Sequence, residues 1–271
     1  MRVVKGVLDR TLESLEFLAA EPRWMRLSDI AERLQLPKGA AHRMLAQLAV
    51  LGWVEQDEAT NQYRLTMKLA LLGQEYLEGT GVPSLVQPIL DEVATKCREL
   101  VRMTVVEGGG LSWIAASQGA SPGLMYQPKM TGRVFLHSTA VGKAWLSTMT
   151  DEEAVRAALA SGLGKPGFGG PRAVRSVSAL LKELHLTRER GYATAVEEAE
   201  AGVTAMAVAV LAQRTKRVIG TVSIAGPLTR ITPATYDANY QLLRRASERL
   251  GTIWPVTDAA AERYAGSATA R

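Results

Sequence analysis

One short segment of the sequence carries side chains that suit contacts with nucleic acid. Within KGAAHRMLAQLAVLG, which begins at residue 38, the polar side chains belong to Lys38, His42, Arg43 and Gln47. Lysine and arginine contact phosphates, and arginine and glutamine also form paired hydrogen bonds with base edges in the major groove. We therefore predict that this segment reads duplex DNA. The alternative is a solvated face on a module that binds another protein.

The segment must be a helix if these side chains are to share one surface. Its apolar residues recur at helical spacing, with Pro37 suited to the helix start and Gly52 to its end. The apolar stripe comprises Ala41, Met44, Leu45 and Leu48. Two further helices are predicted before it, in LDRTLESLEFLAA and in SDIAERL, where Ser28 suits the N-cap. The polar side chains of the third helix are then left on the face that points away from the core.

A β-hairpin is predicted directly after the three helices. Strand-like residues at Trp53-Val54 and at 63–65 flank the turn-forming residues 57–61. A helix, a helix-turn-helix and a hairpin together make a winged helix-turn-helix. Two helices joined by so few residues pack at a steep angle, which leaves the polar face of the third helix exposed. Arg26 and, from the wing, Arg64 are expected to contact flanking phosphates.

The net charge does not by itself indicate DNA binding. The 271-residue chain has a formal charge of +5, but its first 80 residues hold 10 Lys and Arg against 11 Asp and Glu. Any positive potential in this part of the chain must therefore be local to one face.

The remaining residues predict an α+β fold with a second domain. A linker helix is expected over residues 66–82, between a DNA-binding domain at 1–65 and a second domain at 83–256, followed by a mobile tail at 257–271. Strand candidates that do not strictly alternate with helices favour an antiparallel sheet covered by helices.

Several classes of function are disfavoured by composition. A single cysteine, Cys97, allows neither an internal disulfide nor a zinc site built on several cysteines, and it suits a reducing cytoplasm. No secretory signal is seen, and the longest apolar run, residues 205–212, is too short to cross a bilayer, so no membrane partner is expected.

An enzyme on the second domain is the weakest alternative. It would need Cys97 as a nucleophile with His137 or His185, or the carboxylates of EEAE at 197–200 as an acid–base pair. The glycine-rich GLGKPGFGG lacks the Lys-Ser/Thr ending of a phosphate loop, and the histidines lack metal-ligand spacing. No catalytic residue, metal or cofactor is therefore expected.

Three longer stretches carry a family resemblance that covers nearly the whole chain. They are LSDIAERLQLPKGAAHRMLAQLAVLGWVEQDEATNQYRL, LHSTAVGKAWL, and RERGYATAVEEAEAGVTAMAVAV followed by TVSIAGPLTRIT. The chain resembles the IclR family of bacterial transcriptional regulators. The resemblance implies a GAF-like α/β effector-binding domain after the winged helix. It also implies a homodimer or homotetramer on a near-palindromic operator in double-stranded DNA, because one winged helix makes too few contacts for tight specific binding.

The recognition helix departs from many family members at Gly39-Ala40, where those proteins have Ser-Thr or similar residues. Hydroxyl contacts are lost there, but the backbone amides of a helix N-terminus still bind phosphate. The complete set of expected DNA contacts is Arg26, Ser28, Lys38, Gly39, Ala40, His42, Arg43, Gln47 and Arg64.

The resemblance also implies positions for an effector. They are Ala140, Val141, Ala195, Ala205, Ser223 and Ala225, with Trp113 and Met125 as candidate neighbours. Three of these positions, Ala195, Ala205 and Ala225, are polar in relatives that bind keto acids but are alanine here. We therefore expect a small organic acid with an apolar, for example aromatic, body, since buried apolar area is favourable and unpaired polar groups are costly. The amides near Ala140 and Val141 are expected to receive its carboxylate. Met206 is expected to pack in the core.

Overall fold

The computed structural model describes residues 6–121, 123–128 and 134–254. They form two compact units, and the division falls between Gly79 and Thr80, within the predicted linker. The predicted tail at 257–271 lies outside the described residues.

The N-terminal unit is the predicted winged helix-turn-helix. Its elements are α1 (Val7–Ala20), α2 (Leu27–Arg33), α3 (Lys38–Val50), β1 (Val54–Gln56), β2 (Tyr63–Leu65) and α4 (Lys68–Thr80). The two strands pair antiparallel, and Met25 extends them by an isolated bridge to Tyr63. Side chains from every element before α4 form one core, which includes Leu18, Ile30, Leu45, Leu48, Val54 and Tyr63.

The prediction that Ser28 caps α2 is wrong. Arg26 occupies the N-cap position, with an extended backbone whose carbonyl accepts from the amides of Asp29 and Ile30. Ser28 therefore lies inside the first turn, where its hydroxyl donates to the Asp29 carboxylate at 3.0 Å.

The C-terminal unit is an antiparallel sheet covered by helices, as predicted. Its helices are α5 (Val82–Cys97), α6 (Ala140–Leu146), α7 (Asp151–Ser161), α8 (Val177–Arg190) and α9 (Pro233–Ile253). Its strands are β3 (Leu100–Glu107), β4 (Gly110–Gln118), β5 (Ala193–Val196), β6 (Val203–Leu211) and β7 (Val218–Pro227). They pair in the order β4-β3-β7-β6-β5, and each neighbouring pair is antiparallel.

The two faces of this sheet differ in side-chain size. One face carries large aliphatic side chains that pack against α5 and α9 in the main core; they include Val101, Met103, Met206, Val208, Val222 and Ile224. Met206 is thus a core residue, as expected. The opposite face carries small residues covered by α6; they are Ala195, Ala205, Ala207, Ser223 and Ala225. Short side chains leave space between this face, which we call the alanine face, and α6.

Arg102 and Trp113 join the alanine face from β3 and β4. Arg102 pairs with Ser223, and directly paired residues of a sheet share a face. The register between β3 and β4 shifts between Met103 and Thr104, and this shift sets Trp113 opposite Thr104. Since residues two apart on a strand point the same way, Trp113 and Arg102 lie on one side.

A glycine allows α6 to pack closely. A Cβ at Gly142 would lie 2.3 Å from the carbonyl oxygen of Leu136. We expect Gly142→Ala to lower the free energy of unfolding by about 1–3 kcal/mol, because the backbone must shift. Gly73, in the middle of α4, has nothing within 4 Å of such a Cβ. Gly73→Ala should instead stabilise by about 0.5–1 kcal/mol. Urea unfolding of both variants checks this, and equal effects at the two sites would contradict it.

Candidate nucleic-acid interface and effector pocket

The α3 helix exposes the side chains that the sequence analysis selected. Ala41, Met44, Leu45 and Leu48 are buried as predicted. The exposed residues include Lys38, Gly39, His42, Arg43 and Gln47, and Ala40 is half-buried. The helix contains no acidic residue, and none of its basic side chains is ion-paired within the described part of the chain. This surface, which we call the α3 basic face, is therefore a local concentration of positive charge in a unit of nearly balanced charge.

The two flanking arginines, Arg26 and Arg64, differ in their contacts with other side chains. Arg26 is exposed at the start of α2. Arg64 lies on the wing, where its Nε donates to Glu55 at 2.6 Å and its guanidinium lies 4.4 Å from the ring centre of Trp24. Glu55 offsets part of the charge of Arg64, whereas Arg26 forms no ion pair with any of the described residues.

A small pocket with an accessible volume of about 30 Å³ lies between the alanine face and the start of α6. Its lining residues are Arg102, Trp113, Tyr126, Thr139, Ala140, Val141, Ala195, Ala199, Val203, Ala205, Ser223 and Ala225. All of the expected effector positions except Met125 lie in this set. Met125 is exposed and does not line the pocket; the adjacent Tyr126 lines it instead.

Arg102 is one of five lining residues that the sequence analysis did not name, and it is the charged one. It is only 9% exposed, its Nε has no hydrogen-bond partner, and no described carboxylate forms an ion pair with it. Its guanidinium lies 3.9 Å from the ring centre of Trp113 and 6.0 Å from that of Tyr126. Burial lowers the pKa of Arg102, and the nearby Tyr126 opposes this shift. A buried cation without a counter-ion is costly and is a candidate site for an anion.

A buried ion pair holds two walls of the pocket together. The Nζ of Lys143, on α6, donates to both carboxylate oxygens of Glu198 at 2.7 and 2.9 Å, and to Glu183 at 3.4 Å. The Lys143 side chain is fully buried, and burial raises the pKa of Glu198 while Lys143 opposes that shift. Because Glu198 lies beside Ala199, this pair fixes α6 against the turn that follows β5.

The residues of the enzyme alternative are not brought together. Cys97 contacts the backbone carbonyls of Ala94 and Glu99, and burial raises the pKa of its thiol to about 11, which disfavours the nucleophilic thiolate. His137 bonds instead to the Phe168 carbonyl and His185 to Asp151. In residues 6–121, 123–128 and 134–254, no cluster of metal-ligating side chains occurs. No helix in those same ranges is long and apolar enough to span a bilayer.

Family models match both units of the chain. Residues 7–58 match the IclR helix-turn-helix domain, and residues 74–252 match the bacterial transcriptional regulator IclR C-terminal domain. The chain belongs to the IclR family of bacterial transcriptional regulators.

Named IclR-family relatives are regulators. The glycerol operon regulatory protein of Streptomyces coelicolor is 32% identical over 83% of this chain and 85% of its own length. The transcriptional repressor IclR of Escherichia coli is 26% identical over 83% of this chain and 81% of its own.

Solved structures share the fold. An IclR regulator from Alicyclobacillus acidocaldarius has a TM-score of 0.77 at 20% identity, over 90% of this chain and 96% of that one. An IclR homologue from Microbacterium hydrocarbonoxydans is described as a complex with 4-hydroxybenzoate. It has a TM-score of 0.72 at 23% identity, over 91% of this chain and 98% of that one.

Proposed function

We propose that this chain is a homo-oligomeric regulator that binds a near-palindromic operator and changes its DNA affinity when a small organic acid occupies the C-terminal pocket. The α3 basic face carries this proposal, because its apolar stripe is buried and its unpaired cations and hydrogen-bonding side chains face outward. A helix presented in this way fits the major groove. A bacterial protein that binds an operator acts in the cytoplasm, because the chromosome lies there.

Exposed apolar side chains in the N-terminal unit support self-association. Val7, Leu8 and Leu12 are exposed on α1, and every described side chain of α4 lies outside the core, including Leu71 and Tyr76. Large apolar surfaces of this kind mark contact sites. A second copy that covers them makes a homodimer with two α3 basic faces, and a homotetramer would combine two such dimers.

The pocket supports control by an organic acid. Its walls are largely alanine and valine, which gain free energy by covering an apolar body, and Arg102 offers a buried positive charge. The IclR homologue from Microbacterium hydrocarbonoxydans is described as a complex with 4-hydroxybenzoate, which supports an organic acid as the ligand. Coupling between ligand and DNA of about 1–3 kcal/mol would change operator affinity roughly 5–150-fold.

Selection of bound duplexes from a random pool tests the DNA-binding proposal on the full chain. We expect two inverted half-sites whose centres lie about one helical turn apart, or a multiple of it. Sedimentation of the same sample should show a dimer or tetramer. A monomer that enriches no sequence would overturn the proposal and favour a module that docks protein.

A further inference from the structure

We propose that the C-terminal unit holds a second ligand site, in a cleft at the N-terminal end of α9, and that this cleft binds a small hydroxylated carboxylate. Among the described residues, none lines both this cleft and the pocket beside the alanine face. The inference goes beyond the proposed function and does not depend on it.

The cleft, which we call the α9 cleft, has the size and polarity of a site for a hydrophilic molecule. Its volume is about 390 Å³, and it lies between the end of α5, the loop after β4 and the first turns of α9. Small-molecule sites begin at about this size. Six of the ten lining residues carry a side-chain nitrogen or oxygen; they are Arg98, Glu99, Ser121, Arg230, Thr235 and Asn239. None of the described lining residues is aromatic, so the cleft suits a polar ligand.

Asn239 is a polar side chain at a position where the helix pattern predicts an apolar one. It continues the stripe of Leu243, Ala246 and Leu250, which pack in the main core. Asn239 is only 8% exposed and lines the α9 cleft, and its amide forms no hydrogen bond with the described residues. Burial of an amide without a partner costs free energy. A ligand in the cleft that hydrogen-bonds to this amide accounts for its presence.

The charged side chains around the α9 cleft leave one cation free. Glu99 is buried, and its two carboxylate oxygens accept from Arg230 at 2.5 and 2.9 Å. The third nitrogen of Arg230 donates to the Leu124 carbonyl at 2.9 Å, so each of its nitrogens is engaged. Arg98 is exposed at the left-handed turn that ends α5, and it forms no ion pair with the described residues. The lining therefore carries a net charge of one positive, which Arg98 offers to an anion.

A single carboxylate with hydroxyl groups fits these donors and charges. A guanidinium binds a carboxylate through two parallel hydrogen bonds. A phosphate monoester carries about −1.5 to −2 charges at pH 7, which exceeds the one free cation, and Glu99 lies in the same lining. Hydroxyl groups on the ligand would pair with the Asn239 amide and the Ser121 hydroxyl. An alkyl chain in their place would leave the buried amide unpaired.

Calorimetric titration of the full chain, without DNA, tests this inference with four probes: gluconate, glucose, hexanoate and glucose 6-phosphate. Gluconate has both required features, whereas glucose lacks the charge and hexanoate lacks the hydroxyl groups. We expect gluconate to bind about tenfold or more tightly than glucose or hexanoate, since each of these loses hydrogen bonds in the cleft. Glucose 6-phosphate should also bind more weakly than gluconate.

The outcomes that contradict the inference are separate for each of its parts. Glucose as tight as gluconate would overturn the role of the cation, and hexanoate as tight as gluconate would overturn the need for hydroxyl groups. Glucose 6-phosphate tighter than gluconate would overturn the single charge. No binding of gluconate at millimolar concentration would overturn the site itself, whereas the proposed function would still stand if the same sample selects an operator.

Arg98→Met locates the binding in the α9 cleft. Arg98 is exposed, so its replacement leaves the core intact, and we expect gluconate affinity to fall about tenfold or more. Arg245→Met is the matched control, because Arg245 is an exposed arginine on α9 that lies outside the cleft. Equal gluconate affinity in the two variants would overturn the inference, including the case in which gluconate occupies the other pocket.

Asn239→Leu separates a ligand-binding amide from a structural one. Leucine continues the apolar stripe of α9 and removes an unpaired buried amide, so the urea midpoint should rise while gluconate affinity falls about three- to tenfold. A structural amide would give a lower urea midpoint and unchanged gluconate affinity, which would overturn the role of Asn239. The wild-type titrations and Arg98→Met decide on the site even if Asn239→Leu fails to fold.

Discussion

Arg43→Ala is expected to lose about 1–3 kcal/mol of DNA affinity per copy, and roughly twice that in a homodimer that engages both half-sites. Arg43 is exposed on the α3 basic face, on a helix with no acidic residue of its own to offset its charge. If it contacts phosphate, the slope of log affinity against log salt should also become shallower by about one per copy. Fluorescence anisotropy with a selected duplex over a range of salt concentrations measures both quantities.

Arg156→Ala is the matched control for Arg43→Ala. Arg156 is exposed on α7 in the other unit and pairs with Glu152, at 2.8 Å, within its own helix. Its loss should leave affinity and salt slope unchanged. If Arg43→Ala behaves like Arg156→Ala, the α3 basic face is not the DNA-reading surface.

Glu198→Gln is expected to lower the free energy of unfolding of the C-terminal unit by about 3–5 kcal/mol, since it leaves a buried ammonium without its closest carboxylate. Lys143 has no exposed side-chain surface, and its remaining partner, Glu183, lies at 3.4 Å and is itself part-exposed. Urea unfolding followed by far-ultraviolet circular dichroism measures the change.

Glu152→Gln is the control for Glu198→Gln, because it removes the same charge from an exposed pair. We expect its cost to stay below about 1 kcal/mol. Replacing both buried partners, as Lys143→Met with Glu198→Leu, should restore much of the stability lost in the single variant, because no unpaired charge remains. A single Glu198→Gln variant as stable as Glu152→Gln would contradict the assignment of Lys143–Glu198 as a tight buried pair.

The elements that depend on local pattern could be predicted from the sequence. The buried stripe of α3 follows directly from apolar spacing. Thr150 begins α7 as its N-cap, and Gly191 ends α8 with a left-handed backbone, as the capping preferences of these residue types favour.

Arg102 could not be predicted as a pocket residue because its position depends on pairing between strands that are distant in sequence. An arginine is ordinarily expected to be solvated, whereas β3 begins at Leu100 and carries Arg102 into the sheet. Its neighbours Ser223 and Trp113 come from other strands, and the register shift that aligns Trp113 leaves no mark in the sequence pattern. Met125 lies outside the pocket lining, and no periodicity in the sequence distinguishes it from Tyr126, which lines the pocket. The Lys143–Glu198 pair joins residues 55 positions apart, which spacing alone cannot reveal.

The separation of the sheet into a bulky face and a small-residue face has a consequence for how substitutions affect the pocket and the main core. Ala205 borders the pocket, whereas its neighbour Met206 is fully buried in the core beneath α5 and α9. A mutation that enlarges one alanine reshapes the chamber and leaves the hydrophobic packing behind the sheet intact. The shape of the pocket can therefore change on one side of the strands while the packing under α5 and α9 stays the same on the other.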